Sequence, residues 1–205
     1  MNSVRIASGT VTLIALVLLG ACGSDQALRP LATDAVILAF GDSLTFGTGA
    51  GRNESYPSVL GRMIGRTVVN AGVPGEVAAT GLSRLPGLLQ QHQPDLVVLI
   101  HGGNDMLRRQ NRSHAADNLR SMIGLARDSG ADVVLLGVPQ PALILRTATF
   151  YTDVAESTGT PLDGDVLADI LQYTSNKSDP VHPNSRAYRM LAEAVQDLLA
   201  DHDAL

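Results

Sequence analysis

Residues 35–45, AVILAFGDSLT, carry the clearest indication of the fold. The run from Ala35 to Phe40 is apolar throughout, which is typical of a strand that other elements cover on both faces. A Gly-Asp-Ser turn ending in Ser43 follows at once. Doubly wound α/β proteins bind ligands where their parallel strands end, so we expect this turn at the mouth of a sheet. Alone, the same three residues also fit an ordinary turn or helix cap.

The rest of the chain alternates apolar runs with amphipathic stretches. Three further runs predict buried strands: residues 67–71, 95–101 and 132–138. Apolar residues recur at helical spacing in four segments: residues 56–64, 77–92, 113–129 and 185–200. Strands that alternate with helices imply right-handed crossovers and a parallel sheet. We therefore predict one α/β domain over residues 35–205.

Composition excludes several function classes. The 205 residues include 15 Lys and Arg against 20 Asp and Glu, for a net charge of −5. Because an acidic chain lacks the basic surface that a phosphate backbone requires, we predict no nucleic-acid partner. The single cysteine excludes an internal disulfide, and the five histidines are too scattered to predict a metal site. No complete dinucleotide-binding or Walker glycine motif occurs.

The N-terminal segment has the composition of a secretory signal. Residues 6–21 are uncharged and largely apolar, and this run is shorter than the ~20 residues that span a bilayer comfortably. Leu19-Gly20-Ala21-Cys22 resembles the bacterial lipobox, in which the cysteine is lipid-modified and becomes N-terminal after cleavage.

The lipobox pattern leads to expectations about processing and location. We expect a lipoprotein signal peptide over residues 1–21, a lipid anchor at Cys22 and a tether over residues 22–34. The protein would then be held at a membrane of the bacterial cell envelope, on its extracytoplasmic side. An ordinary signal peptide, or a short membrane anchor with an incidental cysteine, is the alternative.

Two motifs supply the parts of a nucleophilic triad. Ser43 follows the first strand, and Asp179 and His182 lie in a proline-rich turn before the last helix. A serine nucleophile needs a neutral imidazole to accept its proton, and the imidazole needs a carboxylate to fix its tautomer. The short spacing can bring Asp179 back to the imidazole of His182. Together these residues indicate nucleophilic catalysis, although the second motif alone also fits a loop before a helix cap.

Two glycine-containing turns follow the second and third strands, at residues 70–75 and 102–105. Acyl transfer needs N–H donors directed at the developing oxyanion, and an asparagine amide and a glycine N–H can supply them. With a strand order of 2-1-3-4-5, the first three strands are neighbours. Ser43, Gly75 and Asn104 would then converge at one edge, although either stretch could simply be a strand-ending turn.

In this order, the four motifs resemble the signature blocks of the SGNH (GDSL) hydrolases. The matching segments are residues 41–45, 70–75, 102–105 and 179–183. The resemblance extends from about Val36 to Leu199. It is most similar to the bacterial branch of multifunctional acyl-CoA thioesterases, lysophospholipases and arylesterases, because GLSRLP at 81–86 and QQHQPD at 90–95 look very like that branch.

This resemblance implies a three-layer α/β/α, flavodoxin-like fold with a parallel sheet of order 2-1-3-4-5, and no cofactor. It implies that Ser43 is the nucleophile, His182 the base and Asp179 the carboxylate that orients it. The backbone N–H groups of Ser43 and Gly75 and the side-chain amide of Asn104 would form the oxyanion hole. The implied substrates are small acyl esters, thioesters or lysolipids.

One segment departs from that branch. Residues 139–149 are rich in Leu and Ala, where the branch carries a loop with Asn, Tyr and Arg that borders the acyl pocket. The resemblance therefore implies no particular chain length. Because no insertion is long enough to form a lid, we expect an open groove with an apolar wall from this segment and substrates of short to medium acyl length.

Two other functions remain open at this point. A carbohydrate O-deacetylase of the envelope would use the same residues, although the 3% aromatic content is low for a protein that stacks on sugars. A lipoprotein that binds an envelope component without chemistry is the alternative from another class, and the complete set of reactive residues disfavours it.

Overall fold

The computed structural model describes residues 27–205. The predicted signal peptide and the predicted lipid anchor at Cys22 lie outside the described residues. Within residues 27–205, no helix combines the length and the apolar composition needed to cross a bilayer.

Seven strands are formed in this part of the chain: β1 (Val36–Gly41), β2 (Thr67–Gly72), β3 (Leu96–Ile100), β4 (Asp132–Leu136), β5 (Pro139–Gln140), β6 (Arg146–Thr147) and β7 (Leu162–Asp163). Five of them form a parallel sheet in the order β2-β1-β3-β4-β7. In chain order β7 is the fifth strand of this sheet, so the predicted order 2-1-3-4-5 is confirmed. β5 and β6 pair separately as a short antiparallel hairpin.

Helices cover both faces of the sheet. They are α1 (Ser43–Phe46), α2 (Tyr56–Ile64), α3 (Ala78–His92), α4 (Gly103–Leu107), α5 (Arg112–Asp128), α6 (Phe150–Thr158), α7 (Val166–Gln172) and α8 (Ser185–Asp201). α2 packs against α8, whereas α3, α5 and α6 pack together in a second layer. This three-layer α/β/α architecture is the predicted one, and the four predicted helices are α2, α3, α5 and α8.

The central strands explain why their sequences lack polar alternation. In β1, the four residues from Ile37 to Phe40 are completely inaccessible to solvent, and every residue of β3 is buried. A strand that is covered on both faces gains burial from each side chain, whichever face the side chain is on. The apolar runs thus place β1 and β3 at the centre, and the residues that follow them at the middle of the carboxyl edge.

Leu28 and Leu31, within the predicted tether, pack against the domain. Leu28 and Leu31 are buried, and the Leu31 N–H donates to the Ala204 carbonyl at 2.9 Å. A solvated tether would leave both leucine side chains in water, so their burial favours this docked position. These contacts, in which Ala204 follows α8, lie at the edge of the sheet where the strands begin. At the same edge, the N–H of Val36, the first residue of β1, donates to the carboxylate of Asp95, which precedes β3.

Candidate active site

Ser43 is placed by the close packing of the strand ends. It is the first residue of α1 and follows the buried Asp42, whose carboxylate accepts from the Leu44 N–H at 3.0 Å and so caps that helix. A side chain at Gly41 would collide with the carbonyl of Ile100 at the end of β3. Glycine therefore lets β1 and β3 approach closely, and Ser43 emerges between their ends at 9% exposure.

The structure brings the three predicted triad side chains together. Ser43 Oγ lies 2.9 Å from His182 Nε2, and His182 Nδ1 lies 2.6 Å from Asp179 Oδ2. Because an ionised carboxylate only accepts hydrogen bonds, Nδ1 carries the proton. In the neutral imidazole, Nε2 is then the acceptor that faces the serine hydroxyl. This is the arrangement in which a histidine can remove a proton from serine.

The turn that carries the histidine is fixed by its own hydrogen bonds. Asp179 Oδ1 accepts from the N–H groups of Val181 and His182, both at 2.9 Å, while the Ser178 N–H donates to the His182 carbonyl at 3.0 Å. The hydrogen bond from His182 lowers the pKa of Asp179, and the two backbone donors lower it further. The carboxylate thus stays ionised beside the imidazole.

One glycine allows this turn to reach the serine. Gly49 has a φ of +97°, in the left-handed region, and a side chain there would collide with the Ser178 hydroxyl. The loop after α1 can therefore lie directly against the turn before α8. This contact joins two parts of the chain that are distant in sequence and brings His182 to Ser43.

The predicted oxyanion donors lie around the same cleft, but they differ in availability. Gly75 has a φ of +77°, and its N–H has no acceptor among the described residues. Ser43, as the first residue of α1, has an N–H without an intrahelical partner. Asn104 Nδ2 instead donates to Asp42 Oδ2 and to the Glu76 carbonyl, each at 3.0 Å. A substrate oxygen would have to share an amide proton of Asn104 with one of these acceptors.

The two aspartates of the motifs, Asp42 and Asp105, bond backbone groups. Asp42 caps α1, and Asp105 Oδ2 accepts from the Ala78 N–H at 2.9 Å and so caps α3. Burial raises the pKa of Asp42, against the opposing influence of His101 and of the hydrogen bonds from Leu44 and Asn104. Both aspartates hold the loops around the cleft in place.

The cleft in front of Ser43 has a volume of about 500 Å³. One side is lined by apolar residues, namely Leu107, Val138, Pro139, Pro141, Leu143, Leu145 and Leu171. Much of this wall comes from the segment 139–149, which the sequence predicts to border the site and which contains the β5–β6 hairpin. At the tip of the hairpin, Leu143 is 96% exposed. Such a volume suits a small or medium ligand with an apolar part.

Sequence reasoning assigned no role to a charged cluster beside the cleft, formed by Glu76, Arg84 and His101. Arg84 donates to both oxygens of Glu76, at 3.0 and 2.6 Å, and His101 Nε2 lies 3.2 Å from Glu76 Oε2. Burial would raise the pKa of Glu76, but the hydrogen bonds from His101 and Arg84 outweigh it and lower the pKa to about 2. The available signal was a histidine ending an otherwise apolar strand run.

No group of three or more His, Cys, Asp or Glu side chains that could hold a metal ion occurs within residues 27–205. The contacts among Ser43, His182 and Asp179 support proton transfer and nucleophilic attack by serine.

Comparison with known proteins identifies relatives over most of the chain. Residues 39–190 match the model of the GDSL-like Lipase/Acylhydrolase family. An arylesterase of Vibrio mimicus is 33% identical over 179 residues, which cover 81% of this chain and 88% of the relative. The protein named thioesterase 1/protease 1/lysophospholipase L1 of Escherichia coli K12 is 30% identical over 187 residues, with coverage of 86% and 89%.

Solved structures show the same architecture. The crystal structure of TesA superimposes with a TM-score of 0.74 at 30% identity, covering 82% of this chain and 99% of that one. The psychrotrophic esterase EstA from Pseudoalteromonas has a TM-score of 0.74 at 24% identity, covering 82% of this chain and 98% of that one, and at this identity it supports the fold alone.

Proposed function

The chain belongs to the GDSL-like lipase/acylhydrolase family of esterases, and on that premise we propose that it hydrolyses esters and thioesters of short to medium acyl chains through an acyl-enzyme on Ser43. The observation that carries this proposal is the continuous contact from Ser43 Oγ through His182 to Asp179, at the mouth of a partly apolar cleft. An ester carbonyl placed there would meet a nucleophile, a base and N–H donors together.

In the proposed first half-reaction, Ser43 Oγ attacks the carbonyl carbon while His182 Nε2 takes the hydroxyl proton. The negative charge that develops on the carbonyl oxygen is stabilised by the N–H groups of Ser43 and Gly75 and by the Asn104 amide. As the bond to the leaving group breaks, Nε2 gives its proton to the departing oxygen or sulfur. Asp179 stabilises the imidazolium between these two events.

In the second half-reaction, water takes the place of the alcohol or thiol. His182 removes a proton from the water as its oxygen attacks the acyl-enzyme, and the same oxyanion donors act again. Collapse of the intermediate releases the carboxylic acid and returns the proton to Ser43. The cycle requires only the groups of this chain and water.

The shape of the cleft supports short to medium acyl chains. Its apolar side, which includes Leu107, Leu143 and Leu171, can bury an acyl chain, while its mouth stays open to varied leaving groups. Since the cleft holds about 500 Å³, a triacylglycerol would not be enclosed. Lysophospholipids, with one acyl chain, belong to the proposed substrates.

We further propose that the protein is lipid-anchored through Cys22 and acts on the extracytoplasmic side of a bacterial membrane. The support is the lipobox-like LGAC sequence, at which the only cysteine of the chain occurs.

A substrate panel tests the proposed activity. Aryl esters, acyl-CoA thioesters, lysophospholipids and acetylated sugars are given to the wild type and to Ser43→Ala. We expect turnover of the first two classes at least, and a loss of about 10⁶ in kcat for the variant, the usual cost of removing a nucleophile. Equal turnover by Ser43→Ala would overturn the proposal. Activity on acetylated sugars alone would assign the carbohydrate O-deacetylase function instead.

A further inference from the structure

The loop that carries Gly75 rests on the buried cluster of Glu76, Arg84 and His101, which takes no part in the proton transfers described above. Glu76 is 7% exposed and His101 is completely buried. Removing charged groups from water costs free energy, and the net stability gained from a buried ion pair is small or negative. A cluster at this place is therefore better explained by the geometry it imposes than by stability.

The backbone beside this cluster makes two hydrogen bonds, and one of them is to an oxyanion donor. The Glu76 carbonyl accepts from Asn104 Nδ2 at 3.0 Å. The Gly75 carbonyl accepts from Arg108 Nη2 at 2.7 Å. The Glu76 carbonyl and Asp42 Oδ2 together orient the Asn104 amide, and the same short stretch of backbone that contains Glu76 carries the Gly75 N–H.

The side chain of Glu76 fixes that backbone. Its two carboxylate oxygens receive three hydrogen bonds, two from the guanidinium of Arg84 and one from His101 Nε2. The Gly102 N–H donates to His101 Nδ1 at 3.2 Å, so the ring proton is on Nε2 and points to the carboxylate. A carboxylate with this many donors has little freedom to move.

The partners of Glu76 are themselves attached to the central sheet. Arg84 Nη2 also donates to the Ala71 carbonyl in β2 at 3.0 Å, and its guanidinium lies 4.5 Å from the ring centroid of Phe40 in β1. A side chain at Gly81 in α3 would collide with the imidazole of His101, so this helix packs directly on that ring. The cluster therefore ties the loop to β1, β2, α3 and the residue that follows β3.

We propose that Glu76 is a positioning residue of the oxyanion hole, a role that rests on the proposed function. Its clamped carboxylate holds the loop backbone so that the Gly75 N–H and the Asn104 amide point to the oxygen that becomes charged in the transition state. The effect is exerted mainly through the Asn104 amide, which donates to the Glu76 carbonyl, and without contact between Glu76 and substrate. A misplacement of about 1 Å in such a donor can cost about 10² in rate.

The first test replaces the charge of Glu76 while keeping its shape. For Glu76→Gln we expect kcat to fall about 10- to 100-fold with KM nearly unchanged, since the interaction that is lost acts in the transition state. Glu76→Asp, which keeps the carboxylate, should retain more activity than Glu76→Gln. Asp117→Asn is the matched control: it removes the carboxylate from the exposed ion pair with Arg120 at 3.0 Å and should leave kcat unchanged.

A double-mutant cycle separates positioning from a general structural effect. Asn104→Ala alone should cost about 10²–10³ in kcat, the usual value of one oxyanion donor. If Glu76 acts mainly through Asn104, adding Glu76→Gln to Asn104→Ala should cost much less than it does in the wild type. The same fold-loss in both backgrounds would show that the two residues act independently and would overturn the proposal.

Two further comparisons keep the outcome interpretable. If Glu76→Gln does not fold, as judged by circular dichroism and thermal unfolding, Arg84→Lys replaces it in the cycle, because a lysine keeps the charge but loses the two-pronged contact. A wild type that hydrolyses no member of the substrate panel would refute the proposed function itself. An active wild type with an unaffected Glu76→Gln would refute only the positioning role.

Discussion

His182 has its two ring nitrogens in different surroundings, and this difference determines what the residue can do. Nδ1 is committed to Asp179, whose side chain is 43% exposed, whereas Nε2 faces the serine hydroxyl. Because the carboxylate is ordered by backbone N–H groups of the same turn, the tautomer is set locally. The residue is therefore prepared for proton transfer before any substrate arrives.

Glu76 leads to a prediction about acid stability. Its pKa is lowered from 4.5 to about 2, so the ionised form is favoured in the folded protein. A lowered pKa contributes stability that is fully present above the unfolded-state value and is lost as pH falls through the folded-state value. The gap in unfolding free energy between wild type and Glu76→Gln should be constant above about pH 5 and should narrow between pH 4.5 and 2. Denaturant titrations across this range measure it.

One result would contradict the prediction about acid stability. If the difference in unfolding free energy between wild type and Glu76→Gln stayed the same from pH 7 to pH 2, Arg84 and His101 would not stabilise the ionised carboxylate. Asp117→Asn, which removes an exposed carboxylate, serves as the control and should show no comparable change.

For individual residues, the sequence predicts which side chains form the site but not how they share hydrogen bonds. The sequence indicates Ser43, Asp179 and His182, because a nucleophile, a base and an orienting carboxylate each require a particular residue type at a strand end or turn. The two acceptors of the Asn104 amide could not be predicted, because Asp42 and the Glu76 carbonyl reach this amide only through the tertiary fold. Arg84 and His101 were missed for the same reason.

The β5–β6 hairpin is the element that shapes the apolar side of the cleft. Its tip residue Leu143 is 96% exposed yet lines the cleft, so its side chain is available to cover an acyl chain and contributes little to folding. Leu143→Asp should therefore raise KM, and the rise should be larger for longer acyl chains. The loss of binding free energy should be no more than about 0.8 kcal/mol for each methylene that loses its apolar contact.

A series of aryl esters of increasing acyl length measures this effect. Leu205→Asp is the matched control, because Leu205 is also exposed, at 41%, and lies beside the residues that dock the N-terminal segment at the opposite edge. An equal rise in KM for every chain length would place the acyl group elsewhere in the cleft.

Elements were predictable where their apolar pattern was long. α2, α3, α5 and α8 carry helical spacing over several turns, and β1 to β4 are uninterrupted runs. α7 and β7 were not predicted, because a helix of seven residues and a strand of two leave too short a pattern. α6 has the same length as α2, nine residues, but its amphipathic pattern is weaker, and it was not predicted either. The position of β7 at the sheet edge follows from its contact with β4, which the local sequence does not encode.

Among the described residues, the stretch around Arg29 and Leu31 and the cleft at Ser43 lie at opposite edges of the sheet. Arg29 pairs with Asp132, at the start of β4, with 3.0 Å between Nε and Oδ2, whereas Ser43, Gly75 and Asn104 follow strand ends. Strands of five or six residues separate these edges by about 17–20 Å. An anchor before residue 27 would therefore hold the domain by the edge that is remote from the cleft.

This separation predicts the effect of removing the proposed lipid. Cys22→Ser should release the protein from membranes and abolish incorporation of labelled palmitate, while kcat/KM for soluble esters stays the same, because the site is remote from the attachment. Cell fractionation and assays of the released protein measure both effects. Membrane association that survives Cys22→Ser would favour an uncleaved N-terminal anchor.

The central claim is that Ser43 is a nucleophile activated by His182, and covalent labelling tests it most directly. A fluorophosphonate reacts with a serine only when a base activates it. We predict a single adduct, located by peptide mass spectrometry on Ser43, with esterase activity lost in proportion to labelling and no adduct in Ser43→Ala. An enzyme that keeps full activity while Ser43 is labelled, or that is labelled only at another residue, would contradict the account.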